Sequence, residues 1–140
     1  MIWLVTRSEL GITTSMLSLV LILVLRALAV ADDVYETHHH VDIARNAGMT
    51  DTEIDAVQTS GNGLSDFDTL LMQAVDELMS KQNMSDDTWR GLSGQYSEQQ
   101  MIEVVFLVGC YTVMGMLTNT LGIPLEDAAE TTFTELRNYT

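Results

Sequence analysis

Cysteine, proline and positive charge are all scarce in this chain of 140 residues, which has one Cys, one Pro and six Lys+Arg against twenty Asp+Glu. The single Cys110 excludes an intramolecular disulfide framework, a CxxC redox pair and a cysteine-rich zinc site. It fits a reducing compartment, so a cytoplasmic location is expected. A formal charge of −14 with no Lys/Arg cluster excludes the electrostatics of nucleic-acid recognition. The same charge disfavours anionic membrane surfaces. No nucleic-acid partner and no membrane partner is therefore expected. Strand signals are missing as well, because no segment alternates apolar and polar residues and no Asn-Gly or Asp-Gly pair joins two such runs. Neither G-x-S-x-G, G-x-G-x-x-G nor a P-loop occurs, which removes nucleotide cofactors; no cofactor is expected.

What the chain has instead is apolar helix. Hydrophobic residues make up 46% of it, enough for the buried core of one domain over residues 1–140. Residues 16–31, MLSLVLILVLRALAVA, are apolar except for Ser18 and Arg26. The run falls short of the roughly 20 residues of a membrane span and carries a charge. Arg7 before it and Ala29-Val30-Ala31 at its end have the form of a secretory signal, but Glu9 and Arg26 do not fit that form. Retention of residues 1–31 is expected, because the helix is needed to complete the core.

Capping-box patterns at Asp33-Val34-Tyr35-Glu36, Thr50-Asp51-Thr52-Glu53 and Ser97-Glu98-Gln99-Gln100 each open a helix. Ser65 and Ser85, each followed by acids, cap two more. Glycines at 48, 61, 63, 91, 94 and 122 mark the stops. Six helices are predicted at about 13–30, 34–47, 51–58, 66–81, 86–92 and 98–120, and a short seventh near 125–137, with ends uncertain by about 2–4 residues. The fold class is all-α. In 66–81 the residues Phe67, Leu70, Leu71, Ala74, Val75 and Leu78 form one apolar stripe, with acids expected opposite. The runs 16–25 and 101–117 are apolar almost all round, which predicts that a second copy of the chain covers them.

The titratable groups concentrate at Asp33, Glu36 and His38-His39-His40. On a helix Glu36 and His40 share a face, while His38 and His39 are turned from His40 by about 200° and 100°. Two readings of the pair are open. Glu36 orients His40 for proton transfer, or it is a capping-box glutamate, and the two roles are compatible. A metal site would need ligands that the sequence does not supply, so no metal is expected. Cys110 reads by default as a small buried thiol, and Met101, Met114 and Met116 as adaptable packing. Tyr111 offers a hydroxyl either to the core or to a pocket. Arg26 requires a carboxylate, either an internal one such as Asp33 or that of a substrate.

The blocks Leu25-Arg26, Tyr35-Glu36-x-x-His39-His40-Val41-x-Ile43-Ala44 and Ala47-Gly48-Met49-Thr50 resemble the carboxymuconolactone decarboxylase-like family. So do the later blocks Ser85-Asp86-Asp87-Thr88-Trp89, Tyr96-Ser97-Glu98-Gln99-Gln100, Val108-Gly109-x-Tyr111-Thr112 and Asn119-Thr120-Leu121-Gly122. The resemblance spans about residues 16 to 128, and residues 1–15 form a divergent or shortened N-terminal segment. It implies an alkylhydroperoxidase-like helical bundle that assembles as a trimer or hexamer, with a pocket between the long apolar helix and the histidine-bearing one. The redox branch of that superfamily carries CxxC-x-x-x-His. Here its two cysteine positions fall on Asp33 and Glu36 and its histidine on His40, so peroxidase or disulfide chemistry is not implied. Leu21 stands where many relatives have a glutamate, five residues before the arginine.

Together these readings predict a cofactor-free lyase or isomerase, decarboxylase-like, acting on a small oxo-acid or unsaturated lactone. His40 would move the proton and Glu36 would orient it, while His39, Arg26, Tyr111 and Asp33 bind the substrate. The alternative is a non-catalytic binding or assembly protein that keeps the fold.

Overall fold

The computed structural model describes residues 14–125, with side chains from residue 17 onward. Six helices follow one another, and no strand occurs among the described residues: α1 (Thr14–Val30), α2 (Val34–Asn46), α3 (Asp51–Gln58), α4 (Asp66–Lys81), α5 (Asp86–Ser93) and α6 (Glu98–Leu121). The predicted ends agree to within about two residues. The expected seventh helix lies outside the described residues.

Helix α1 is the axis of the bundle, packing against α2, α3, α4 and α6. Leu21 to Leu25, Ala27 and Leu28 are all buried. Each buried Leu or Val contributes about 1.5–3 kcal/mol relative to exposure, so this helix organises the core. From Leu21 to Leu28 its apolar side chains are thus covered within the chain, while Val20 and Val30 stay exposed. Helix α6 differs. It buries Met101, Val104, Val108, Gly115 and Thr118 on one side and exposes Ile102, Phe106, Val113, Met116 and Leu117 on the other, Phe106 to 71%. By length and composition it could cross a membrane. Cys110 lies on the exposed side, which corrects its default reading as a buried thiol. Of the three methionines read as packing, Met101 is buried, Met114 half-buried and Met116 exposed.

The turns are built as their sequences require. Thr50 and Ser97 form complete capping boxes with Glu53 and Gln100. Gly122 ends α6 at φ 60°, a left-handed conformation that glycine takes without strain. Gly115 is fixed by a close approach, since a Cβ there would stand 2.9 Å from the Cβ of Ala31.

The acids of α4 do not all face solvent, as its apolar stripe suggested. Asp76 turns to Arg26, and Glu77 is buried where α4 meets α5. Glu77 accepts the backbone N–H of Ser85 at 2.8 Å, the Ser85 hydroxyl at 3.0 Å, the Thr88 hydroxyl at 3.1 Å and the Gln73 amide at 3.1 Å. The Ser85 N–H and then the Gln73 amide are the main reasons its carboxyl is held down at about 2. A carboxyl with a lowered folded pKa stabilises the fold fully above its unfolded value and loses that contribution as pH falls toward the folded value. For Glu77 the window runs from 4.5 down to about 2. Glu77→Gln is expected to lower the thermal midpoint at pH 7 and to flatten its decline across that window. An unchanged acid profile in the variant would show that the clamp does not carry the load.

Candidate active site

Asp33 caps α2 with a carboxylate that is itself buried. Its Oδ1 accepts the Glu36 N–H at 2.9 Å, and its Oδ2 accepts the Thr118 hydroxyl of α6 at 2.7 Å. The expected capping box stops there. The N–H of Asp33 donates to the Leu28 carbonyl at 3.0 Å, so the Glu36 side chain is not needed to satisfy it. That carboxylate is buried instead, with Oε2 3.4 Å from Nδ1 of His40. The local geometry thus separates the two readings of Glu36: Asp33 does the capping and Glu36 faces the imidazole.

His40 is 3% exposed. Its Nδ1 lies 2.9 Å from the Glu36 carbonyl and its Nε2 lies 2.9 Å from the Tyr111 hydroxyl. A carbonyl can only accept, so Nδ1 carries the hydrogen and, in the neutral ring, Nε2 accepts from Tyr111. Burial, reinforced by the negative charge of Glu36, pushes the Tyr111 phenol up to about 12. Tyr111 therefore keeps its proton at neutral pH and is the donor. The three groups form a directed chain from Tyr111 through the imidazole to Glu36.

The other expected site residues are placed elsewhere. Arg26 makes a two-point ion pair with Asp76, at 2.7 and 2.8 Å, and donates to the carbonyls of Val57 and Thr59. Its partner is an internal carboxylate, but Asp76 and not Asp33, whose two oxygens are already engaged. Arg26 thus ties α1 to α4 and to the end of α3 and is not free to hold a substrate carboxylate. Asp33 is likewise held in the cap. His39 is half-buried, edge-on to both Tyr35 and His38, and His38 is exposed. Leu21 is a core residue.

Two surface hollows flank the start of α2. One is lined by Tyr35, Thr118 and Asn119 among others, the second by Asp33, Thr37, His38 and Gln58 among others. Neither reaches Glu36, His40 or Tyr111. Among the described residues no group of three His, Cys, Asp or Glu side chains converges as metal ligands would. Sequence reasoning missed Thr118 and Asn119, which bind Asp33 and the Ala31 carbonyl. One signal was available. Thr118 follows Tyr111 by seven residues, as His40 follows Asp33, and seven residues is two helical turns.

The sequence model of the carboxymuconolactone decarboxylase family (CMD) matches residues 17–76. Over that segment the chain is similar to the carboxymuconolactone decarboxylase family. The match takes in α1, α2, α3 and much of α4, and so includes Glu36 and His40; Tyr111 lies outside it. No curated protein and no solved structure gives a match.

Thr118→Val keeps the side-chain shape but leaves Oδ2 of Asp33 buried without its donor. Removing one partner of a buried pair costs about 1–3 kcal/mol, and that loss of stability is expected in urea unfolding. Wild-type stability would mean that Asp33 does not hold α6 in place.

Proposed function

We propose that the protein is a cofactor-free lyase or isomerase, soluble and cytoplasmic, that moves a proton beside the carbonyl of a small oxo-acid or unsaturated lactone. The observation that carries this reading is the 2.9 Å contact between Nε2 of His40 and the Tyr111 hydroxyl, with the opposite ring nitrogen tied to Glu36. A buried imidazole with one nitrogen fixed has a single direction in which to pass a proton.

In that reading the substrate meets Tyr111, because His40 is enclosed and Tyr111 is only half-buried. As Nε2 takes the phenolic proton, the phenol oxygen takes one from the carbon next to the carbonyl. Both transfers occur together, since a phenol held near 12 resists forming a free phenolate. The resulting imidazolium lies against the Glu36 carboxylate, which favours its charge. Returning the proton to another carbon completes an isomerisation. In a decarboxylation the carboxylate leaves as carbon dioxide and its bonding pair becomes an enolate. For that enolate the relay has to begin with a proton from solvent on Nε2 of His40, so that Tyr111 gives its proton to the carbon as it receives the one on Nε2.

A non-catalytic protein that keeps the fold is the second reading, and one observation favours it: neither hollow reaches the relay. Solvent deuterium separates the two. The protein is to be incubated in heavy water with a panel of unsaturated lactones and β-keto acids, and deuterium uptake at carbon followed by NMR. A lyase or isomerase labels at least one of them. His40→Gln and Tyr111→Phe are each expected to slow labelling about 10²–10⁴-fold while circular dichroism is unchanged. His38→Gln is expected to leave it near the wild-type rate. Labelling that survives His40→Gln in a folded protein would remove the proposed mechanism, and no labelling with any member of the panel would favour the binding role.

A further inference from the structure

The connection between α3 and α4 is anchored at both ends and open at its tip. Gly61 is buried, with its N–H on the Ala56 carbonyl at 2.7 Å, and a Cβ there would stand 3.2 Å from the sulfur of Met72. Ser65 is fixed as the cap of α4. Between them the Leu64 N–H closes a four-residue turn on the Gly61 carbonyl at 3.2 Å, with Gly63 in third place at φ 88°. That conformation belongs to a type II turn and favours glycine. The two central residues are Asn62 and Gly63, and Asn-Gly occurs nowhere else in the sequence.

We propose that this tip is a site of spontaneous covalent modification, at which Asn62 is converted to a mixture of aspartate and isoaspartate. The backbone nitrogen of Gly63 forms a bond to the side-chain amide carbon of Asn62, the carbon–nitrogen bond of the amide breaks, and ammonia leaves with the proton that Gly63 gives up. The product is a five-membered cyclic imide. Water then opens it at either carbonyl. One opening leaves an aspartate, and the other leaves the backbone running through the former side chain, one carbon longer. Both add a negative charge to a chain already at −14, and neither needs an oxidant, a metal or a second protein.

Three features of the fold leave this reaction open. Both residues are exposed. Nothing lies within 4 Å of where a Cβ of Gly63 would stand, so the attacking nitrogen is uncrowded. Among the described residues no hydrogen bond engages the Asn62 side-chain amide or the Gly63 N–H, and Asn62 makes only a long contact, from its own N–H to the Ser60 hydroxyl at 3.4 Å. The tip can therefore rotate into the attacking geometry without breaking a buried contact. The other described asparagines are guarded. Asn46 precedes Ala47, whose N–H is held on the Ile43 carbonyl at 2.9 Å. Asn119 lies within α6 with its amide on the Ala31 carbonyl at 2.8 Å. Asn83 is exposed but is followed by Met84, whose side chain crowds ring closure.

The test is to age the full chain in mildly alkaline buffer, folded and in urea, and to follow each asparagine separately by peptide mapping. In the folded chain Asn62 is expected to convert at least about tenfold faster than Asn46, Asn83 and Asn119, because only its neighbour is a glycine in an open turn. Its rate in urea should be similar, whereas Asn119 should gain on unfolding. Isoaspartate at this position, read by enzymatic methylation of its carboxylate, marks the cyclic imide. Asn62→Gln should lose both the methylation and the more acidic species on ion exchange. An Asn62 that converts in urea but stays intact in the folded chain would overturn the proposal. So would aspartate without isoaspartate, or an undiminished acidic species in Asn62→Gln. None of these readouts depends on catalysis.

Discussion

Two rungs between α2 and α6 set the geometry on which everything else rests. The helices run in opposite directions, and Asp33 and His40 on one face Thr118 and Tyr111 on the other. Seven residues separate the two positions on each helix, so both rungs close at once only when the helices hold a single register. The first rung is buried and charge-assisted, and it also caps α2. The second is the proton path. A shift of α6 by one turn would break both.

The same cap explains why Glu36 is available. A helix start leaves several backbone N–H groups unsatisfied, and a capping-box glutamate normally answers one of them. Here the chain enters α2 directly from α1, and the Asp33 N–H finds the Leu28 carbonyl. The glutamate is released to the imidazole. Local backbone geometry thus converts a structural residue type into a partner for His40, with no added residue.

Helix positions were legible in the sequence because caps and glycines are local signals, and the Ser97 and Thr50 boxes form as their spacing requires. The pairing of Glu36 with His40 was legible for the same reason, being a four-residue step on one helix. Partners across helices were not. Nothing local distinguishes Asp76 from Asp33 as the carboxylate for Arg26, nor indicates that Glu77 turns inward to Ser85. Coverage of apolar helices was legible only in sum: composition marked α1 and α6 alike, but α1 is enclosed by four neighbours and α6 keeps an open face.

The central claim is that His40 is held with hydrogen on Nδ1 and with Nε2 turned to Tyr111. Nitrogen-15 NMR of the imidazole reads this directly in the uniformly labelled protein. At a pH where the ring is neutral, the account predicts a protonated-type shift at Nδ1 and an acceptor-type shift at Nε2, and it predicts that Tyr111→Phe moves the Nε2 signal toward that of a free lone pair. A neutral ring carrying its hydrogen on Nε2, or an Nε2 signal indifferent to Tyr111→Phe, would contradict it.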